Sequence, residues 1–445
     1  MPKAMIQPLS RAFAFHVMAK PIGPRCNLDC RYCYYLEKAG YYPEIHRFRM
    51  ADDILDCYIR DYIAAQVSAG IREIWFSWQG GEPTMLGREY FERIVALQAR
   101  HCPSGHRIRN ALQTNGTLID ADWAQFLHDQ EFLVGISIDG PPALHDRYRR
   151  DRRDLPSSDR VLAGLDQLLH HRAEVNILAV VNNLTARQPL EVYRYLRGLG
   201  VEFLQFIPVV ERQLPGQPLA PPPQPGAPDA PVTPWSVRPA DYGRFLCAVF
   251  DEWLRHDVGR VFVQLFDVQL AIWMGRPASL CIYAETCGKG LALEHNGDLY
   301  ACDHYVYPEY RLGNIARTPI GALADLPVQQ QFGLDKQARL PEACRQCQWK
   351  FACNGGCPKH RFLPTPGNDG PGNDGARLSY FCQSHKMFFA HAAPHFDTMV
   401  KLIRLGEAPA RIMQMAPQSA VTRIRAARNA PCPCGSGRKH KHCCG

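Results

Sequence analysis

Short apolar runs rich in β-branched and aromatic residues recur through the first half of the chain. They lie near Phe13–Ile22, Glu73–Trp78, Ile108–Gln113, Leu133–Ile138, Val175–Val181 and Phe203–Pro208, and their length suits strands. Between them, the stretches Asp52–Ser68, Tyr90–Arg100, Ala121–Asp129 and Ser158–His170 repeat their apolar residues at helical spacing. Six strands alternating with helices predict an α/β fold with a parallel sheet, open or curled into a partial barrel. Four distinctive segments, PRCNLDCRYC, QGGEP, TNG and SIDG, fall where predicted strands end. In barrels of this type, the loops at the carboxyl ends of the strands carry the chemistry.

Past Pro208 the pattern breaks. Nine prolines fall between Gln213 and Pro234, and proline, with a fixed φ and no N–H, suits neither a helix interior nor a central strand. That stretch is expected to be an extended linker or surface excursion. A cysteine-rich second half begins near Ala240, and the doubled PGND of PTPGNDGPGNDG within it reads as a surface loop. The expected organisation is a partial barrel over 1–212, a proline-rich linker or insertion over 213–239, and a cysteine-rich α+β domain over 240–400. A basic linker over 401–430 and a compact cysteine module over 431–445 follow.

Hydrophobic residues make up 46% and charged residues 21% of the 445, an ordinary globular balance with room for more than one core. No apolar run approaches the roughly 20 residues of a membrane span. The first fifteen residues lack the apolar core and cleavage site of an export signal, so a cytoplasmic protein is expected. The net charge of +8 sits entirely in the tail: from Lys401 onward there are nine Lys or Arg and one Glu, and the first 400 residues balance. General nucleic-acid binding by the body is therefore not indicated. An acidic partner for the tail and a merely solvated tail both remain open.

Eighteen cysteines are many for a reducing compartment, where metal binding is the commoner use. Cys26, Cys30 and Cys33, spaced x3 and x2, can each bind one iron of a cubane and leave the fourth iron open to a small molecule. A structural zinc site there would need a fourth ligand, and none lies nearby in sequence. Cys281, Cys287, Cys302, Cys344, Cys347, Cys353, Cys357 and Cys382 suffice for two fully ligated clusters, or for two zinc sites. Cys432, Cys434, Cys443 and Cys444 flank a Gly435-Ser436-Gly437 turn. They suit a tetrahedral zinc that would fold a segment too short to have a core; His440 and His442 read first as solvent-facing, with substitute ligation the secondary reading. Cys57, Cys102 and Cys247 are left over as packing residues.

The cysteine triad, with Tyr32 before its last member and Gly80-Gly81-Glu82-Pro83 after the second strand, resembles the radical S-adenosylmethionine (SAM) superfamily. That resemblance implies a partial (β/α)6 TIM-like barrel, a 4Fe–4S cluster on Cys26, Cys30 and Cys33, and SAM met by the backbone and carboxylate of GGEP. The later cysteines resemble the SPASM extension of peptide-modifying members, whose ligands interleave. By that likeness Cys281, Cys287, Cys302 and Cys357 would hold one auxiliary 4Fe–4S cluster and Cys344, Cys347, Cys353 and Cys382 a second, making three.

Over nearly all of 15–400 the local sequences CNLDCRYCYY, FSWQGGEPT, LQTNGTLID, VGISIDGP, FLQFIPVVE, CDHYVYPEYRLGNI and FCQSHKMFF resemble the anaerobic sulfatase-maturating enzymes. Members oxidise a cysteine or serine of a sulfatase active-site motif to formylglycine. The resemblance implies SAM contacts at Tyr32, Gly81, Ser137, Arg149 and Val210, with Gln79 and Tyr35 near the target residue. Asp303 would be the proton acceptor; without the motif it would read as a turn carboxylate. An unfolded or nascent sulfatase polypeptide is the implied substrate, and a flavodoxin or ferredoxin the implied electron donor.

The proline-rich segment departs from the family pattern, as does His304, which stands where an aromatic residue is usual and bears on the preferred target. The tail resembles the SEC-C zinc motif, also found on the ATPase of the Sec export pathway. Export machinery, an acidic chaperone or the ribosome are the partners it suggests. Two other readings stay open: another SPASM-type peptide maturase, forming thioethers or a peptide-derived cofactor, and a metal-stapled adaptor without catalysis.

Overall fold

The computed structural model describes residues 15–415 apart from 45–47, 217–218, 224–228 and 366–375, together with the isolated positions 429 and 439. The four tail cysteines expected to bind zinc lie outside the described residues. So do 416–428 and 430 of the expected basic linker, and the doubled PGND.

Six parallel strands, β1 (His16–Lys20), β2 (Glu73–Trp78), β3 (Arg107–Thr114), β4 (Phe132–Ser137), β5 (Glu174–Val181) and β6 (Phe203–Pro208), pair in chain order. They fall within a residue or two of the predicted runs, except that β1 begins three residues later and ends two earlier. Alternation builds them: Ile74, Phe76 and Trp78 of β2 are buried on one face, with successive side chains on opposite sides of the pleat. Helix α1 (Asp52–Ser68) carries two carboxylates in its first turn, where the helix dipole favours them, and buries Leu55, Tyr58, Ile59, Tyr62 and Ile63 against the sheet.

The sheet does not stop at six strands. β7 (Phe262–Val263) pairs with β6, while β8 (Gly290–Glu294) runs parallel to β1 from His16↔Gly290 to Lys20↔Glu294. β9 (Asp298–Tyr300) and β10 (Arg311–Asn314) continue antiparallel from β8. The result is one open, mixed ten-stranded sheet, in the order β10-β9-β8-β1-β2-β3-β4-β5-β6-β7. The division at 212 and 240 thus needs correcting: residues from the cysteine-rich half complete the sheet at both edges, because β1 alone would leave a row of unpaired backbone groups.

A single core also joins the halves. Helix α2 (Pro239–His256) lies along the long helix α3 (Cys382–Arg404), with Phe250 against Phe388 and Phe396. The expected linker from 401 is corrected as well. Lys401–Arg404 finish α3, and Ile412 is buried in the core, so the packed body extends to about 415. Part of the proline-rich excursion is tied down too. Gln213 N–H donates to the Pro231 carbonyl, and Leu219 N–H reaches the Glu37 carboxylate at 2.8 Å.

Candidate active site

The carboxyl ends of the parallel strands gather the sequence-predicted residues. The loop after β1 carries Cys26, Cys30 and Cys33 in a tight path: Leu28 N–H donates to Cys26 Sγ at 3.3 Å, and Arg152 Nε holds the Cys26 carbonyl at 2.8 Å. Asn115, of the TNG segment after β3, places its amide 3.7 Å from the same sulfur. Burial pushes the Cys26 thiol up to about 12 and raises Cys30 and Cys33 as well; Cys33 adds to the cost at Cys26, and Cys26 and Cys33 both add to it at Cys30. Three ionised sulfurs can share this loop only around positive charge, which is what an iron cluster brings. The residues present fit that group.

The GGEP segment is stitched to the cysteine loop. Gly81 N–H donates to the Gly23 carbonyl at 2.7 Å and Glu82 N–H to that of Arg25 at 2.9 Å. A Cβ on Gly81 would stand 1.8 Å from the Arg25 carbonyl oxygen, so this crossing admits only glycine. Glu82 follows at the same crossing. Its fully buried carboxylate accepts from Thr84 N–H, the hydroxyls of Thr84 and Thr114, and Asn115 N–H. It therefore fastens the loops after β2 and β3 together, and its oxygens are taken up within the protein.

Tyr32 and Arg149 meet at a carboxylate that sequence reasoning passed over. The Tyr32 hydroxyl donates to Asp139 Oδ2 at 2.5 Å, and Arg149 Nε lies 3.1 Å from Oδ1. Val180 N–H of β5 also donates to Oδ1 at 3.0 Å. Asp139 belongs to SIDG, so the segment was noticed but its carboxylate was not. Ser137, at the end of β4, accepts from Gln113, and Val210 is buried just past β6. Gln79 follows β2, its N–H donating to the Ala19 carbonyl beside Lys20.

Asp303 directly follows Cys302 and faces the end of β1. Lys20 Nζ lies 2.6 Å from its Oδ1, and the Tyr34 hydroxyl donates to Oδ2 at 2.5 Å. Burial pushes this carboxyl up, but the Lys20 ammonium, His304 and the Tyr34 hydroxyl outweigh it and hold Asp303 near 2. Tyr35 belongs to the same cluster: Lys20 Nζ sits 4.1 Å from its ring centre, and its hydroxyl donates to Glu294 at the end of β8. Lys20 and Tyr34 had no signal in the sequence beyond adjacency to the cysteine motif.

The eight later thiols fall into two groups. Beyond burial, Cys281 and Cys357 raise Cys287 and Cys302, and Cys281 raises Cys357; likewise Cys382 and Cys347 raise Cys344 and Cys353, and Cys347 raises Cys382. Burial and these neighbours lift Cys287 to about 12 and Cys357 to about 11, and in the other group Cys353 to about 12 and Cys344 to about 11. Buried cations stand close. Lys336 Nζ donates to the carbonyls of Cys281 and Ile282, and Arg361 to those of Gly355, Lys336, Asn354 and Gly356. Cys57, Cys102 and Cys247 lie elsewhere, on α1, after the helix Arg88–His101 and on α2.

An open α/β sheet with a cysteine triad after its first strand, and a second thiol-rich unit beside it, defines a radical SAM enzyme with additional iron–sulfur binding. Residues 21–207 match the Radical SAM superfamily, 281–348 the iron-sulfur cluster-binding domain SPASM, and 428–445 the SEC-C motif. The chain is 40% identical to a serine-type anaerobic sulfatase-maturating enzyme of Bacteroides thetaiotaomicron, covering 90% of this chain and 94% of that one. A cysteine-type counterpart from Clostridium perfringens is 32% identical over 87% of this chain and 99% of its own. Among solved structures, native anSMEcpe with bound AdoMet and Cp18Cys peptide superposes with a TM-score of 0.74 at 32% identity, covering 87% of this chain and 99% of that one. The chain belongs to the anaerobic sulfatase-maturating enzymes. It uses SAM and iron–sulfur clusters, and no helix among the described residues is long and apolar enough to cross a membrane.

Proposed function

We propose that this enzyme oxidises Cβ of a serine or cysteine, in an unfolded or nascent sulfatase segment, to the aldehyde of formylglycine. The observation that carries this reading is the Asp303 carboxylate, set beside a cysteine of the second thiol unit and facing the loop that holds the first. SAM and its cluster, when bound, supply a 5′-deoxyadenosyl radical able to take hydrogen from an unactivated carbon. The protein's part is to orient and to handle the proton and electron that follow.

Tyr32 and Arg149, fixed by Asp139, line the SAM side of the strand ends, and Gly81 lets the GGEP backbone approach. Asp303, kept ionised by Lys20 and Tyr34, accepts the hydroxyl or thiol proton of the target as general base. Cys281, Cys287, Cys302 and Cys357, and Cys344, Cys347, Cys353 and Cys382, would hold two four-iron clusters, which would supply an acceptor for the electron left on the carbon. A serine gives the aldehyde directly; a cysteine gives a thioaldehyde that water hydrolyses with release of sulfide. The higher identity to serine-type than to cysteine-type relatives, 40% against 32%, favours serine.

A zinc on Cys432, Cys434, Cys443 and Cys444, a cytoplasmic location, a flavodoxin or ferredoxin donor, and a tail partner in the export machinery, a chaperone or the ribosome complete the proposal. To test the activity, anaerobic protein is incubated with SAM, reductant and matched peptides in which serine or cysteine is the first residue of the motif (S or C)-x-P-x-R. Mass spectrometry is expected to show loss of two hydrogens from the serine peptide, and additional exchange of sulfur for oxygen in the cysteine peptide. SAM turnover with both peptides unchanged in mass would refute the activity.

A further inference from the structure

His304 and His385 each stand beside one sulfur of the two groups of four thiols. His304 Nδ1 is 3.4 Å from Cys357 Sγ, and His385 Nδ1 is 3.5 Å from Cys353 Sγ. Both distances suit hydrogen bonds to sulfur. Neighbouring rings hold each imidazole at its sulfur. His304 lies edge-on to Tyr34, at 6.0 Å and 89°, and 5.8 Å from His360. His385 stacks on Phe389 at 5.8 Å and meets Tyr283 edge-on at 5.7 Å. The buried cations nearby, Lys336 and Arg361, send hydrogen bonds to carbonyl oxygens.

A cysteine bound to iron carries no proton and offers only lone pairs. A ring nitrogen at this distance with its own lone pair would be repelled, so the favourable tautomer has the proton on Nδ1. An N–H donated to a ligand sulfur stabilises the more negative, reduced cluster over the oxidised one.

We propose that His304 and His385 each donate a hydrogen bond to one ligand sulfur of an auxiliary cluster and thereby raise that cluster's reduction potential. They are positioning residues for the electron acceptors. The inference rests on the reading of the two groups as cluster ligands.

The test is an anaerobic redox titration of the full-length, reconstituted protein, followed by electron paramagnetic resonance, with iron counted in each sample. His304→Phe and His385→Phe remove the donor, whereas His304→Asn and His385→Asn keep an amide N–H near the Nδ1 position. Each Phe variant is expected to retain its iron and lower the potential of its own cluster. The reduced-to-oxidised ratio at fixed potential should fall about tenfold, equivalent to 59 mV for a one-electron couple. Each Asn variant should recover most of that shift. Full iron with an unchanged potential in the Phe variants would overturn the proposal, as would loss of iron in the Phe and Asn variants alike, which would make the histidines structural. Wild-type protein with iron for only one cluster would instead overturn the ligand reading, and the proposal with it.

Discussion

Asp303 owes its character to two neighbours that come from the other end of the chain. Lys20 closes β1 and Tyr34 follows the cysteine triad, and together they keep a buried carboxylate ionised. Asp303→Asn preserves the shape but cannot take a proton. SAM cleavage should survive while aldehyde formation falls by roughly 10²–10⁴-fold, measured as peptide product per 5′-deoxyadenosine formed. Lys20→Met tests the second half of the arrangement. Without the ammonium, burial acts on Asp303 with less opposition and its pKa rises, so a larger fraction is protonated as pH falls. Peptide oxidation by this variant should therefore lose rate on the acid side at a higher pH than wild type does, and recover as pH is raised. A pH profile matching wild type would show that Lys20 does not govern the carboxylate. Asp303 was legible in the sequence only because Cys302 precedes it in a recognisable motif. Lys20, Tyr34 and Asp139 were not, since a lone charged or phenolic residue at a strand end leaves no periodic trace and its partner is chosen by the fold.

Among elements, the crossing of the GGEP segment over the cysteine loop is the tightest packing constraint near the site. Gly81→Ala would drive a methyl group into the Arg25 carbonyl, a backbone atom that cannot rotate away. The variant should fold but bind SAM at least about tenfold more weakly, since the two loops must part where the ligand is held; isothermal titration under anaerobic conditions would measure this. β2 to β6 were readable because each spans six or eight residues with regular alternation. β7, β9 and β10 were missed because two to four residues carry no period. The β1–β8 pairing was hidden for another reason: nothing local announces a partner some 270 positions away. That pairing has a consequence. A chain ending at Arg238 would expose the β1 edge and the face that α2 covers, and should be recovered as aggregate; size-exclusion chromatography would report it.

At the scale of the whole molecule, the thiol-rich half is part of the catalytic body, and only the segment past about residue 415 stands apart in sequence. With three clusters the anaerobic protein should carry about 12 iron atoms per chain, and about one zinc from the tail. Replacing Cys26, Cys30 and Cys33 by Ala should remove about a third of the iron and all SAM cleavage. A chain ending at Met415, which keeps the buried Ile412, should lose the zinc and keep both peptide turnover and iron; elemental analysis and the peptide assay check this together. If the tail serves targeting, the same truncation should lower maturation of an exported sulfatase in cells while sparing a cytosolic model substrate. The most direct measurement uses a target peptide whose serine carries deuterium at both Cβ positions. One deuterium should appear in the 5′-deoxyadenosine, and the peptide aldehyde should retain the other. Deoxyadenosine free of deuterium, formed alongside an unchanged peptide, would contradict hydrogen removal from Cβ and with it the assignment of this site to formylglycine formation.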